Sequence, residues 1–352
     1  MIKWIIITGG VACLAATLLA QDANPPTFRA GADLIEISVT ATHDGDPVLD
    51  LTKDDFWVRD KGNDQEIQFF LAPSAKPGDS SSETPETGTG LASESGAAAI
   101  VLDWLNTGFV QQVYARQKML DMLEAIDLND HVAVFANLRT LEVLHDFTDN
   151  NAALLESLAA LRPFIDGPSS AGYFGAPDMI AFAAADARIR VDATKRNIRP
   201  VLDRLRQQPG RKSLIWVSNS FGALPLPELI RSNITLYLVD ARGLQVKPLP
   251  PPGPLPRHVQ TQLAFREELE LSRRLTNRII AESTGGVYFE NRNDLDGAMR
   301  EALDETRTSY TLGYYLPQGA KPGEHKVQID VKRRGVKLRY RKSYIVEPPP
   351  EQ

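Results

Sequence analysis

Four short apolar runs constrain this chain more than anything else in it: "AAAIVLD" (97–103), "HVAVFA" (131–136), "SLIWV" (213–217) and "ITLYLV" (234–239). Each is rich in β-branched or aromatic residues and lacks a polar alternate, the pattern of a strand buried on both faces. Helical stretches separate them. The first follows residue 108 and sets Phe109, Val113, Met119, Leu120 and Leu123 on one arc; others are "NAALLESLAAL" (151–161) and a long one from Met179 to Gln207. Strands alternating with helices predict a mostly parallel, doubly wound α/β sheet. "LEVLHDF" (141–147) is a further candidate strand and "GGVYFE" (285–290) the last, with helices over Gln260 to Glu282 and "DLDGAMREALDE" (294–305).

The flanks read differently. "LIEISVTATHDGDPV" (34–48) alternates, with Ile35, Ile37, Val39 and Ala41 on one side. "DFWVRDKGNDQEIQFF" (55–70) turns between two short strands at Gly62 to Asp64. Residues 27–72 are therefore expected to form a small β-rich module. Residues 73–95, mostly Ser, Gly, Pro, Thr and Glu, have almost nothing to bury and are expected to be a disordered linker. The α/β unit then occupies 96–308. Residues 309–347 return to β, with "HKVQIDV" and "VKLRY" alternating on either side of "RRG" as an expected hairpin. "VKPLPPPGPLPR" (246–257) is expected to be an extended surface loop.

At the start, Lys3 precedes an apolar run from Ile5 to Ala20, and then "QDANPP" turns polar. The pattern predicts a signal peptide over 1–20 cleaved after Ala20, a periplasmic or secreted product, and no stable membrane span afterwards; an uncleaved anchor is the alternative. Cys13 is the single cysteine, so the processed chain would have no disulfide, thiolate metal site or cysteine nucleophile. A net charge of −6 gives no electrostatic reason to expect nucleic acid. The basic run "KRRGVKLRYRK" (332–342) reads as the solvated face of the hairpin, and the five histidines have no zinc-ligand spacing.

In their order and spacing, "LTKDDFWVRDKG", "VLDWLNT", "QQPGRKSLIWVSNSFG", "ITLYLVDARGL", "AESTGGVYFENRNDL" and "SYTLGYYLPQG" resemble the secreted bacterial von Willebrand factor type A proteins of the VWFA-related acidobacterial type. The resemblance implies a doubly wound sheet with its ligand site at the C-terminal strand ends. In the family's metal-binding form Mg²⁺ is held there by an Asp-x-Ser-x-Ser loop, a Thr and a second Asp. Asp103 stands at the first of these positions, but Leu105 replaces the first Ser, while Thr107 keeps a hydroxyl. Ser218, Asn219 and Ser220 stand where the second acid is expected, and Ser169 and Ser170 are available for the loop that does not align.

Asp103 and Thr107 are thus the metal candidates of a degenerate, at best weak magnesium site. The other reading is that they and Asn106 hydrogen-bond neighbouring loops and cap the next helix. Asp103, Asn106, Thr107, Ser218, Asn219 and Ser220 form the candidate ligand-binding set. The resemblance implies a noncatalytic binding or adhesion module whose partner is an envelope or extracellular protein. The enzyme alternative is a serine hydrolase with Ser220 in an elbow-like "SNSFG" turn and His258 or His325 as base; Pro225 and Pro227 delay the helix that an elbow requires.

Overall fold

The computed structural model describes residues 34–73, 96–125, 132–147, 151–163, 176–208, 210–222, 224–245, 253, 255–316 and 320–347. The expectations for the signal peptide, the linker and Ser169 and Ser170 lie outside these residues, as does most of the Pro-rich loop. In chain order the elements are β1 (Leu34–His43), β2 (Asp46–Pro47), a 3-10 turn (Lys53–Asp55), β3 (Phe56–Asp60), β4 (Asn63–Gln65), β5 (Phe69–Leu71), β6 (Ala97–Asp103), α1 (Phe109–Ala125), β7 (Val132–Asn137), β8 (Leu141–His145), α2 (Asn151–Ala160) and α3 (Ala176–Arg206). Then come β9 (Lys212–Ser218), α4 (Leu226–Arg231), β10 (Ile234–Asp240), α5 (Arg257–Ser283), β11 (Tyr288–Phe289), α6 (Leu295–Arg307), β12 (Tyr310–Tyr315), β13 (Gly323–Val331), β14 (Val336–Arg339) and β15 (Ser343–Val346).

The apolar runs form a six-stranded sheet in the order β11-β10-β9-β6-β7-β8, parallel except for the antiparallel edge strand β8. α1, α2 and α6 pack on one face through Met119, Met122, Leu154, Leu158, Ala298 and Met299. α3, α4 and α5 cover the other through Ile198, Val201, Leu202, Leu205, Leu229 and Ala281. The first strand of the series lies in the middle, so the order reverses between β6 and β9, the place at whose C-terminal strand ends open α/β sheets generally bind ligands.

On α1 the buried arc is rotated from the one read in the sequence. Ala115, Met119, Met122 and Leu123 face the core, whereas Phe109 and Val113 are exposed. Gln112 occupies the inward place in the first turn because its amide donates to the carbonyls of Trp104 at 3.0 Å and Thr107 at 2.7 Å.

α5 stops in a Schellman motif: Gly285 has φ +83°, its N–H donates to Glu282, and the N–H of Gly286 donates to Ala281. Gly286 then passes so close to β10 that a Cβ would lie 1.9 Å from the carbonyl oxygen of Leu236. A backbone atom cannot swing aside as a side chain can. Gly286→Ala is accordingly expected to destabilise by about 3 kcal/mol or more; a urea midpoint unchanged from wild type would disprove the close approach.

The N- and C-terminal segments build two antiparallel sheets together, β14-β1-β12-β5 with β2 beside β1, and β15-β13-β3-β4. Their shared core includes Ile37, Val39, Phe56, Tyr310, Tyr314 and Ile329. β13 and β14 do not form the hairpin that their alternation suggested: β13 pairs with β3 and β15, while β14 pairs with β1. The turn at 332–335 instead carries the chain from one sheet to the other, which lets both strands present their apolar side to the same core.

Nor is the basic run wholly solvated. Arg341 is buried and donates to the carbonyls of Ile230 at 2.8 Å and Glu36 at 2.7 Å, joining the antiparallel sheets to α4. Burial lowers its pKa to about 10. Arg339 is paired with Glu305 of α6.

Candidate functional site

Asp103 ends β6 and Ser218 ends β9, so both stand at the point where the strand order reverses. Both are fully buried. Five donor groups converge on the Asp103 carboxylate: the backbone N–H of Asn106 at 3.3 Å, its Nδ2 at 3.0 Å, Asn137 Nδ2 at 2.7 Å, Trp216 Nε1 at 3.1 Å and Ser218 Oγ at 2.7 Å. Burial pushes this carboxyl above its ordinary pKa, against the downward pull of Ser218, Asn106, Asn137 and Trp216.

The polarity of this shell is fixed by its neighbours. Asn197 on α3 must turn Nδ2 toward the Leu138 carbonyl at 3.0 Å, which can only accept. That same Nδ2 donates to Asn137 Oδ1 at 2.8 Å, leaving Asn137 Nδ2 to face Asp103. The indole N–H of Trp216 is a donor in any orientation. Thr194, also on α3, accepts from Asn106 at 3.0 Å and Asn137 at 3.3 Å.

The other candidates form the rim. Thr107 is buried and its Oγ1 accepts from the Asn219 N–H at 3.3 Å, tying the β6 loop to the β9 loop. The Ser220 N–H donates to Ser218 Oγ at 3.0 Å. Asn106 and Asn219 are half-buried and Ser220 is exposed. Leu105 is buried, with its N–H on the Asn137 carbonyl at 2.8 Å and its carbonyl accepting from Arg190.

A magnesium ion needs oxygen lone pairs directed at it. Here the lone pairs of Asp103 are met by N–H and O–H hydrogens, and Leu105 supplies no ligand. Among the described residues no group of three or more His, Cys, Asp or Glu could hold a metal. These residues do not fit the ion.

Of the two histidines that are candidate bases for Ser220, His325 is committed elsewhere. Each ring nitrogen of His325 is engaged between the antiparallel sheets, Nδ1 with Asp60 at 3.0 Å and Nε2 with the Lys321 carbonyl at 2.9 Å. After Ser220 the chain reaches α4 only at Leu226.

Asn137, Thr194, Asn197 and Trp216 were not singled out from the sequence. The available signal was positional: Asn137 is the polar end of a strand lying in register with Asp103, and Thr194 and Asn197 are three apart on the inward face of α3.

A parallel sheet with its first strand central, an antiparallel edge, helices on both faces and an acid at the reversal point define a von Willebrand factor type A-like fold, here accompanied by separate antiparallel sheets. No family model and no curated protein sequence matches the chain. Among solved structures, a von Willebrand factor type A protein from Catenulispora acidiphila is 10% identical, covering 90% of this chain and 74% of that one at a TM-score of 0.35. BatB from Bacteroides thetaiotaomicron is 12% identical over 60% of this chain and 98% of its own, TM-score 0.33. The manganese-loaded TRAP protein of Plasmodium vivax is 12% identical over 73% and 96%, also at 0.33. The similarity is distant, and the strand order and helix layers carry the fold. Among the described residues no helix is long and apolar enough to cross a membrane.

Proposed function

We propose that this chain is an exported, noncatalytic binding module of the cell envelope, of the VWFA-related acidobacterial type, whose β6 and β9 loops engage a protein partner without a metal. The observation that carries this reading is the neutral shell around Asp103, with five donor groups and, among the described residues, no second acid bonded to it. In a metal-dependent site the buried acid helps present a cation to the partner. Here the acid acts inward, gathering Asn106, Asn137, Trp216 and Ser218 so that Asn106, Asn219 and Ser220 are held at the rim as neutral hydrogen-bonding groups. Such a rim suits a polar surface of an envelope or extracellular protein. The Ile5 to Ala20 run supports export to the periplasm or beyond, with cleavage after Ala20.

Capture of partners from envelope extract by the wild type and by a Ser220→Arg variant, each in magnesium and in chelator, tests the proposal. Capture that persists in chelator and is lost in the variant is expected. Capture abolished by chelator would sink the metal-free reading. A companion measurement is thermal melting. A cation present at a hundred times its dissociation constant would stabilise by about 2.7 kcal/mol, so millimolar Mg²⁺ or Mn²⁺ is expected to leave the midpoint unmoved. A gain of several degrees that disappears in Asp103→Ala would restore Asp103 and Thr107 as ligands.

A further inference from the structure

α5 is 27 residues long, about 40 Å at 1.5 Å per residue. The seven residues of β10 span about 23 Å. Arg242, just past the end of β10, reaches Glu270 at 2.9 Å, so residues 257–269 run on beyond the C-terminal ends of the strands. Residues 260–269 are exposed all round the helix. A helical segment this short is marginal in water without packing.

The outward side of α5 is nonetheless apolar. Phe265 is 66% exposed, Leu269 58%, Leu271 59%, Leu275 48% and Ile279 62%. At 100° per residue these five lie within an arc of about 160°, opposite the Asn277 and Ala281 side that is buried. Ser272 stands at the middle of the arc.

We infer that this face is covered by α5 of a second copy of the chain, packed antiparallel about a two-fold axis at Ser272. The sequence is self-complementary about that residue. Phe265 and Ile279 are seven positions away on either side and meet each other across the axis. Leu269 and Leu275 are three away and do the same. Glu268 falls opposite Thr276, and Ser272, with its small side chain, allows the helices to approach at the centre. Offsets of three, four and seven are the spacing at which helices interlock side chains, and a two-fold axis makes the contact close on itself. Each copy's projecting half would lie on the partner's sheet-supported half, which supplies the packing that residues 257–269 lack.

The size is adequate. Five large apolar side chains about half exposed give on the order of 500 Å² per copy, a patch as large as the biggest on ordinary monomers. Doubled, and with the flanking polar residues added, this reaches the lower range of specific interfaces, about 1,200 Å². A lipid surface is the poorer match: Arg273 and Arg278 flank the stripe, but Glu268 and Glu282 fall within its arc and Glu267 beside it, where anionic headgroups would repel them.

The test uses the chain from Gln21 onward, the processed form proposed above, which has no cysteine of its own, so that an introduced cysteine stands alone. Sedimentation is expected to show a reversible dimer at micromolar concentration, and Leu269→Glu, an exposed position, is expected to weaken it by a hundredfold or more while the melting curve of the monomer remains cooperative. Ser272→Cys is expected to form a disulfide-linked dimer. Phe265→Cys alone is not, since its two copies would stand about 21 Å apart along the axis, but mixed with Ile279→Cys it should yield the cross-linked pair. A monomer at every concentration, a dimer indifferent to Leu269→Glu, or a Phe265→Cys self-link would overturn the inference. So would a monomer that floats with phosphatidylglycerol vesicles, which would assign the face to lipid.

Discussion

Asp103→Asn is expected to cost about 3 kcal/mol of folding stability although it changes neither shape nor volume. The carboxylate accepts from five donor groups. An asparagine in its place brings an NH₂ of its own, which must face Trp216 and Ser218 on one side or Asn137 on the other. Either way a buried donor is opposed by a donor, and a buried polar group left unmatched costs about 1–3 kcal/mol, more where a charge was involved. The Asn197 to Asn137 link prevents the shell from simply turning its amides round. Ser218→Ala removes one donor of several and is expected to cost about 1 kcal/mol. Chemical denaturation of both variants, with and without magnesium, measures the difference. An Asp103→Asn midpoint equal to wild type would mean that the donors do not depend on the charge.

The second large effect is expected far from the candidate site. Asp60 and His325 are buried between the antiparallel sheets, with the imidazole Nδ1 3.0 Å from the carboxylate and Tyr344 donating to the same oxygen at 2.7 Å. Removing one member of such a buried set strands the others, typically at about 3–5 kcal/mol. Asp60→Ala should lower stability by that amount, and the loss should be shared by the whole molecule, because Arg341, which stacks on Tyr344, also holds α4 through Ile230. Circular dichroism and intrinsic tryptophan emission are expected to report one coincident unfolding transition. A loss below about 1 kcal/mol would show that the cluster is not needed.

Much of the central sheet was legible because buried parallel strands announce themselves: "SLIWV" and "ITLYLV" have no polar alternate. Helix limits followed from the breaks between them, and the long helix ending near Gln207 is α3 to within a few residues. The hairpin at "RRG" failed for a definite reason. Alternation tells which side of a strand is apolar, not which strand it pairs with, and here two neighbouring strands use the same core from opposite sheets. Arg341 was misread because its neighbours alternate as a solvated face would, and only the approach of α4 and β1 removes it from water. At the candidate site Asp103 stood out as an acid at the end of an apolar run. Its partners did not, since Asn137 and Trp216 reach it through the pairing of β7 and β9 with β6, and Thr194 through the packing of α3 on the sheet.

The pairing of β1 with β12 has a consequence for how the chain is made. Thr40 and Ser309, bonded at 3.1 Å, are 269 residues apart, so at a synthesis rate of about 5–20 residues per second β1 waits tens of seconds for its partner. During that time Leu34–His43 is a strand with one apolar side and, apart from β2 at Thr42 and His43, open edges, the kind of segment that pairs with other chains. The type A unit, whose six strands all lie within residues 97–289, can close before β12 appears. Closure of the antiparallel sheets is then a late step with a long loop to overcome. The last few dozen residues to emerge therefore decide whether a finished type A unit is delivered with its leading strand buried or with that strand left sticky.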